Sequence, residues 1–281
     1  MRPVHAQSIL ALLCASLAGC GGSSETTTPP KTSGAKSDAP EPGALPAAEA
    51  VLDGFVEATG GRAAYQKLET RVATGTFTVT SMKEPARFSM YQAAPKKMYL
   101  VIDMPGLGKE ERGTDGTVAW SRSGMTGNRI VEGAERDQML RTAALHGEIL
   151  WRELYTKAET VGVEEVGGRK AYKVTLHTPE GSVEHRYYDV ENKLLLRTSM
   201  VERSPMGEIP VDSLSSDYRK VGDLLLSHKA VIRAMNMEQV LTMEKIEHNV
   251  PIDPARFAVP SDVRAVPSGE PSPGTTKPDA K

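Results

Sequence analysis

Two cysteines and six histidines are the side chains of this 281-residue sequence from which nucleophilic or metal chemistry could most readily be built. His146, His177, His185, His228 and His248 follow one another at long intervals, and no pair has the spacing that puts two imidazoles on one helix face, as HExxH does. His177 and His185 fall among Arg, Lys and Glu in strand-like stretches, which reads as a solvated face. No serine stands in a G-x-S-x-G elbow, and Gly106-Leu107-Gly108 is too short to cradle a phosphate. Glu110-Glu111 and Glu164-Glu165 are the tightest carboxylate pairs, but strand neighbours point to opposite faces and cannot share a proton. The expectation is a protein that is not an enzyme and needs neither metal nor cofactor.

Methionine is the residue in excess, with twelve against four Phe and two Trp. Among them are Met82, Met90, Met98, Met104, Met139, Met200, Met206, Met235, Met237 and Met243. Its thioether chain is flexible and polarizable, and adapts to apolar partners of irregular shape. As a set these residues point to a deformable apolar cavity rather than to rigid aromatic packing.

The elements that would shape such a cavity follow from periodicity. "PAAEAVLDGFVEATGG" carries Val51, Leu52, Phe55 and Val56 as a helical stripe, stopped at Gly60-Gly61, and "RAAYQKL" gives a second short helix with Tyr65 and Leu68. Alternation then takes over. Phe77 and Val79 share a face opposite Thr74, Thr76 and Thr78, and Phe88 pairs with Met90; Met98, Leu100 and Ile102 fall together. Asp115-Gly116 turns a hairpin that continues through Val118 and Trp120. Residues 132–155 return to helical period, and about ten strands in all are joined by short turns, the later ones at Gly167-Gly168, Glu191-Asn192, Gly222-Asp223 and Asn236. This order predicts an α+β fold with an antiparallel meander. The candidate ligand-binding wall is Phe77, Val79, Phe88, Met90, Met98, Leu100, Ile102, Val118 and Trp120.

Cys20 closes the apolar run of "LCASLAGCGG". Arg2 and His5 precede an apolar segment of about ten residues, half the length of about twenty that a membrane span needs. Leu17-Ala18-Gly19-Cys20 then has the form of a lipobox, similar to bacterial lipoprotein signals, in which the thiol accepts a diacylglyceryl group. The mature chain would then lack a free thiol and a disulfide, and must rest on its core. Gly21, in place of the Asp that retains such proteins at the inner membrane, implies an outer-membrane anchor facing the periplasm. The expected organisation is a signal peptide over 1–19, a lipidated and disordered tether over 20–46, a folded domain over 47–259 and a disordered tail over 260–281. Both ends are rich in Pro, Ser, Thr and Gly and too poor in apolar residues to fold. The formal charge of −2, with basic residues spread along the chain, carries no nucleic-acid footprint.

The stretches "VLDGFVEATGGRAAYQKL", "YQAAPKKMYLVIDMPGLGKEERGTDGTVAW" and "YYDVENKLLLRTSMVERSPMGEIPVDSLSSDYRKVGDLLLSHKAVI" resemble the LolA/LolB-like envelope proteins, the outer membrane lipoprotein-sorting family. The resemblance implies a strongly curved antiparallel sheet, an unclosed half-barrel, with helices packed over its concave face. It further implies a cavity for acyl chains and a role in lipoprotein or lipid sorting. Arg62 and Arg112 are the candidates for a buried arginine that holds the helices shut. "DMPGLGK", with Leu107 between two glycines, is the candidate for a bilayer-engaging loop. The implied partners are the membrane, through the lipid anchor, and acyl chains of lipid or lipoprotein. The alternative is a non-catalytic envelope sensor of the RseB type, which would act through a protein partner.

Overall fold

The computed structural model describes residues 44–79, 84–124, 126–205 and 207–263. Cys20, the tether up to residue 43, Met82, Met206 and the tail from residue 264 lie outside the described residues. Helices α1 (Ala48–Ala58) and α2 (Arg62–Gln66) come first. They lead into strands β1 (Thr70–Val79), β2 (Ala86–Ala93), β3 (Lys97–Met104), β4 (Gly108–Thr114), β5 (Ala119–Ser123) and β6 (Arg129–Val131). Helices α3 (Gly133–Thr142) and α4 (Trp151–Leu154) interrupt the strands. Seven more follow: β7 (Lys157–Val166), β8 (Arg169–His177), β9 (Val183–Asp189), β10 (Leu195–Ser204), β11 (Gly207–Val221), β12 (Leu224–Ala234) and β13 (Met237–His248). A 3-10 turn, Pro254–Phe257, comes last.

All thirteen strands belong to one sheet, ordered β6-β5-β4-β3-β2-β1-β13-β12-β11-β10-β9-β8-β7. Two meanders are therefore stitched together where β1 pairs with β13, and every neighbouring pair is antiparallel. Strands β6 and β7 are the two edges, so the sheet is not closed. Of the strands beyond the ten or so expected, β6 has only three residues and follows a glycine-containing loop, leaving no alternation to read. The helical segment expected over 132–155 is two helices separated by turns.

The sheet curls until its halves touch. Strand β4 is third in the order and β10 tenth, yet Arg112 on β4 and Glu202 on β10 meet at 3.3 Å. Their side chains must project from the concave face. Register bulges at Thr74/Gly75, Thr160/Gly162 and Leu195/Arg197 bend the strands locally. At Gly75 only glycine fits, because a Cβ would stand 1.9 Å from the Thr242 carbonyl oxygen.

The helices lie on the concave face. Val51, Leu52 and Phe55 of α1, with Trp151, Leu154 and Tyr155, pack onto Val174, Leu176 and Tyr188. Val56, Tyr65, Leu68, Leu145 and Ile149 gather around Leu224, while Met139 and Ala143 cover Met98, Ala119 and Val131. Each large apolar side chain buried here contributes on the order of 1.5–3 kcal/mol. The Thr59 hydroxyl, 2.8 Å from the Tyr65 hydroxyl, ties the end of α1 to α2.

Candidate functional site

Register places the expected wall residues. Ala73 pairs with Met90, Phe77 with Ala86, Phe88 with Ile102 and Met90 with Leu100, so Phe77, Val79, Phe88, Met90, Met98, Leu100 and Ile102 share one face. Leu100 pairs with Arg112, which fixes that face as the concave one. Most of these residues form one apolar cluster with Ala86 and Met104. A second cluster on the same face joins Met200, Ile209, Val211, Ile232 and Ala234, and both clusters contact Leu241.

Val118 and Trp120 do not belong to this wall, which corrects their assignment. Val118 lies in the turn before β5. Trp120 pairs with Gly113, itself paired with Tyr99, and this row points to the convex side. The reason is local: a Cβ at position 113 would stand 2.5 Å from the indole, so Gly113 provides the seat that the ring occupies. The indole packs beside Tyr99, with ring centroids 5.9 Å apart, and residues 253–260 border the same hollow. Arg256 stacks on Tyr91 at 4.1 Å, and Arg122 pairs with Asp262. Asp262 and the buried Val263 thus carry ordered contacts past the tail boundary drawn at 260.

At the hairpin end the concave face is apolar, whereas beneath the helices buried charges stand among the apolar clusters. Arg186 on β9 is the hub. Its Nε donates to Glu184 at 2.5 Å, and its terminal nitrogens donate to the Tyr155 hydroxyl at 3.0 Å and to Glu148 at 3.4 Å. The Tyr155 hydroxyl donates in turn to Glu184 at 2.7 Å. Burial alone would lower the Arg186 pKa, but Glu184 and the surrounding acidic groups hold it well above its ordinary value. Burial raises Tyr155 for the same reason that it raises every acid with no water around it. Arg141 of α3 pairs with Glu180, in the turn before β9, at 2.6 Å. The arginines that hold the helical cover are therefore Arg186 and Arg141. Arg62 is exposed on α2, and Arg112 joins two strands. Glu184 and Arg186 share a face with Tyr188 by simple alternation, so the signal was present but masked by the adjacent histidine-bearing positions.

Several openings are found among the described residues, one of about 360 Å³ between α3, α4 and Glu180. Cavities of about 230 and 250 Å³ lie beneath the segment 142–148, which lines both. A wider groove of about 880 Å³ opens at the far end, lined by Ile209, Pro210, Ala234, Met235 and Met237 and bordered by Glu208, Arg233 and Glu238. Its floor, Ile209 and Ala234, belongs to the second apolar cluster. Met235 is exposed at the hairpin tip with φ 49°, a left-handed conformation uncommon for a long side chain. Leu107, in the candidate bilayer-engaging loop, is exposed at the β3–β4 turn. Among the described residues no group of three or more His, Cys, Asp or Glu could hold a metal, and no helix is long and apolar enough to cross a membrane.

No family model and no curated protein matches this sequence. Its shape has counterparts among solved structures. A DUF1329 family protein from Desulfovibrio piger superposes with a TM-score of 0.52 at 12% identity, over 76% of this chain and 98% of that one. A LolA superfamily protein from Nitrosomonas europaea gives a TM-score of 0.52 at 10% identity, over the same shares of the two chains. At these identities what is shared is the architecture: this chain is an open antiparallel half-barrel, the fold it has in common with that LolA superfamily protein.

Proposed function

We propose that this protein is a non-catalytic envelope binding protein whose concave face takes acyl chains or a similar apolar ligand, in the service of lipid or lipoprotein sorting. One observation carries the reading: the groove of about 880 Å³ has as its floor Ile209 and Ala234, members of the apolar cluster that fills the interior. A chain entering there meets Met200, Ile232 and Leu241, and thioether and branched side chains give way more readily than rings. Burial of about fourteen methylenes is worth on the order of 10 kcal/mol, which separation of the two clusters must partly offset. Attachment through a lipidated Cys20 would hold the domain at the outer membrane on a tether about 25–30 Å long on average. Cys20→Ala should release the protein from membrane fractions, and continued sedimentation with outer membranes would argue against the anchor.

Binding itself is tested with a fluorescent fatty-acyl probe. Ala234→Phe fills the groove floor and should weaken probe binding by about tenfold or more, since a rigid ring displaces ligand volume from a packed site. Thr78→Phe, exposed on the outer face of β1, should bind like the parent. Equal binding by both folded variants would place the ligand elsewhere.

A further inference from the structure

The cavity of about 250 Å³ beneath segment 142–148 shares no lining residue with the groove at the far end. Its wall is mixed. Phe55, Leu145, Leu195 and Leu226 make it apolar, and Arg71 and Gln92 bring polar groups to it. Arg71 and Gln92 are register partners on β1 and β2, on the concave face. The Arg71 guanidinium has neither hydrogen bond nor ion pair among the described residues, and its Nε is buried without a partner. Gln92 is 6% exposed, and its Oε1 is likewise buried and unpartnered. Because the two ends of an amide can exchange, Gln92 can present either a donor or an acceptor.

The charges around Arg71 explain why it stands open. On the β13 side its register partner is His248, which burial and the Arg71 charge keep neutral. Glu148 lines the same cavity and its charge acts on Arg71, but it forms no ion pair there: Arg186 engages its carboxylate at 3.4 Å, and its side chain is 37% exposed to water. Tyr65 and Tyr218 donate or accept elsewhere, at Thr59 and at the Leu195 carbonyl. A buried guanidinium normally meets an anion in a fork of paired N–H donors. Here it borders a space lined by Phe55, Leu145 and Leu226 on one side and by hydroxyl groups, Gln92 and Glu148 on the other.

We propose that Arg71, with Gln92 beside it, anchors a small monocarboxylate whose short alkyl part lies against Phe55, Leu145 and Leu226. The space, about 250 Å³, is many times the roughly 10–15 Å³ that one water needs, so a short-chain carboxylate such as hexanoate is the probe of choice. The proposal does not depend on acyl binding at the groove.

Hexanoate, hexanol and inorganic phosphate distinguish the terms, each titrated into the ¹⁵N-labelled protein and followed by NMR. The expected result is saturable binding of hexanoate that shifts the Arg71 side-chain Nε–H signal. Arg71→Met should weaken hexanoate by about tenfold or more, as loss of a charge-assisted pair does, and leave hexanol unchanged. Removal of a buried charge without an ion-pair partner should leave the melting temperature of Arg71→Met equal to or above the parent's. Phosphate should neither bind as tightly nor displace hexanoate. An unmoved Arg71 signal in the parent protein, equal hexanoate affinity in Arg71→Met, or phosphate binding as tightly as hexanoate would overturn the proposal. If acyl probe binding survives those results, the groove reading stands while the carboxylate site falls.

Discussion

Arg112 and Glu202 illustrate what single residues do in a curved sheet. Glu202 is 1% exposed and meets a cation from the opposite wall, which offsets the desolvation that one buried carboxylate would suffer alone. Glu110, neighbouring the same interior, has its pKa raised by burial despite Ser123 and Arg112. His248 shows the converse. Burial, and then the Arg71 charge, lower its pKa from 6.5 to about 4, so the native state favours the neutral ring. Above pH 6.5 this has no effect on stability. As pH falls from 6.5 towards 4 the unfolded chain takes up a proton that the native chain refuses, and stability is lost across that window. Urea midpoints measured between pH 7 and 4 should fall more steeply for the parent than for His248→Asn. Parallel curves would mean that His248 titrates normally.

At the scale of elements, the helical cover is fastened by charge as well as by apolar contact. Glu148 and Tyr155 come from the covering segment and Arg186 from β9, and the three meet over Glu184, which is 1% exposed. Arg186→Met would leave Glu184 buried without its cation, at a cost of about 3–5 kcal/mol. The cover should loosen first, so backbone amides of residues 142–155 should lose hydrogen-exchange protection ahead of the β1–β13 pair. Uniform loss across the sheet would mean that the cover and the sheet open as one unit. The strands themselves were legible from alternation: Phe77, Phe88, Leu100 and their companions lie where period two put them. Two kinds of feature were not. Trp120 has the right period but the wrong face, because the side on which a row falls depends on Gly113 in the neighbouring strand. Arg71 and Arg186 occupy inward positions that look like solvated charge until the curvature of the sheet encloses them.

For the whole molecule, one sheet whose halves touch across their concave face leaves little permanent volume. The apolar interior at the hairpin end is packed, small cavities lie among the buried charges beneath the helices, and the wide opening lies at the rim. Such a container takes a large apolar ligand by parting its own clusters, and ligand uptake and the spacing of the clusters must therefore change together. Methionine methyl groups report this directly, since Met200 stands inside the second cluster and Met237 lines the groove. With ¹³C-methyl methionine and a saturating fatty-acyl ligand, the methyl signals of Met200 and Met237 should shift and show intermolecular contacts to the chain. Saturable binding that leaves both methyls unmoved, or no binding across several chain lengths, would contradict an acyl site on the concave face.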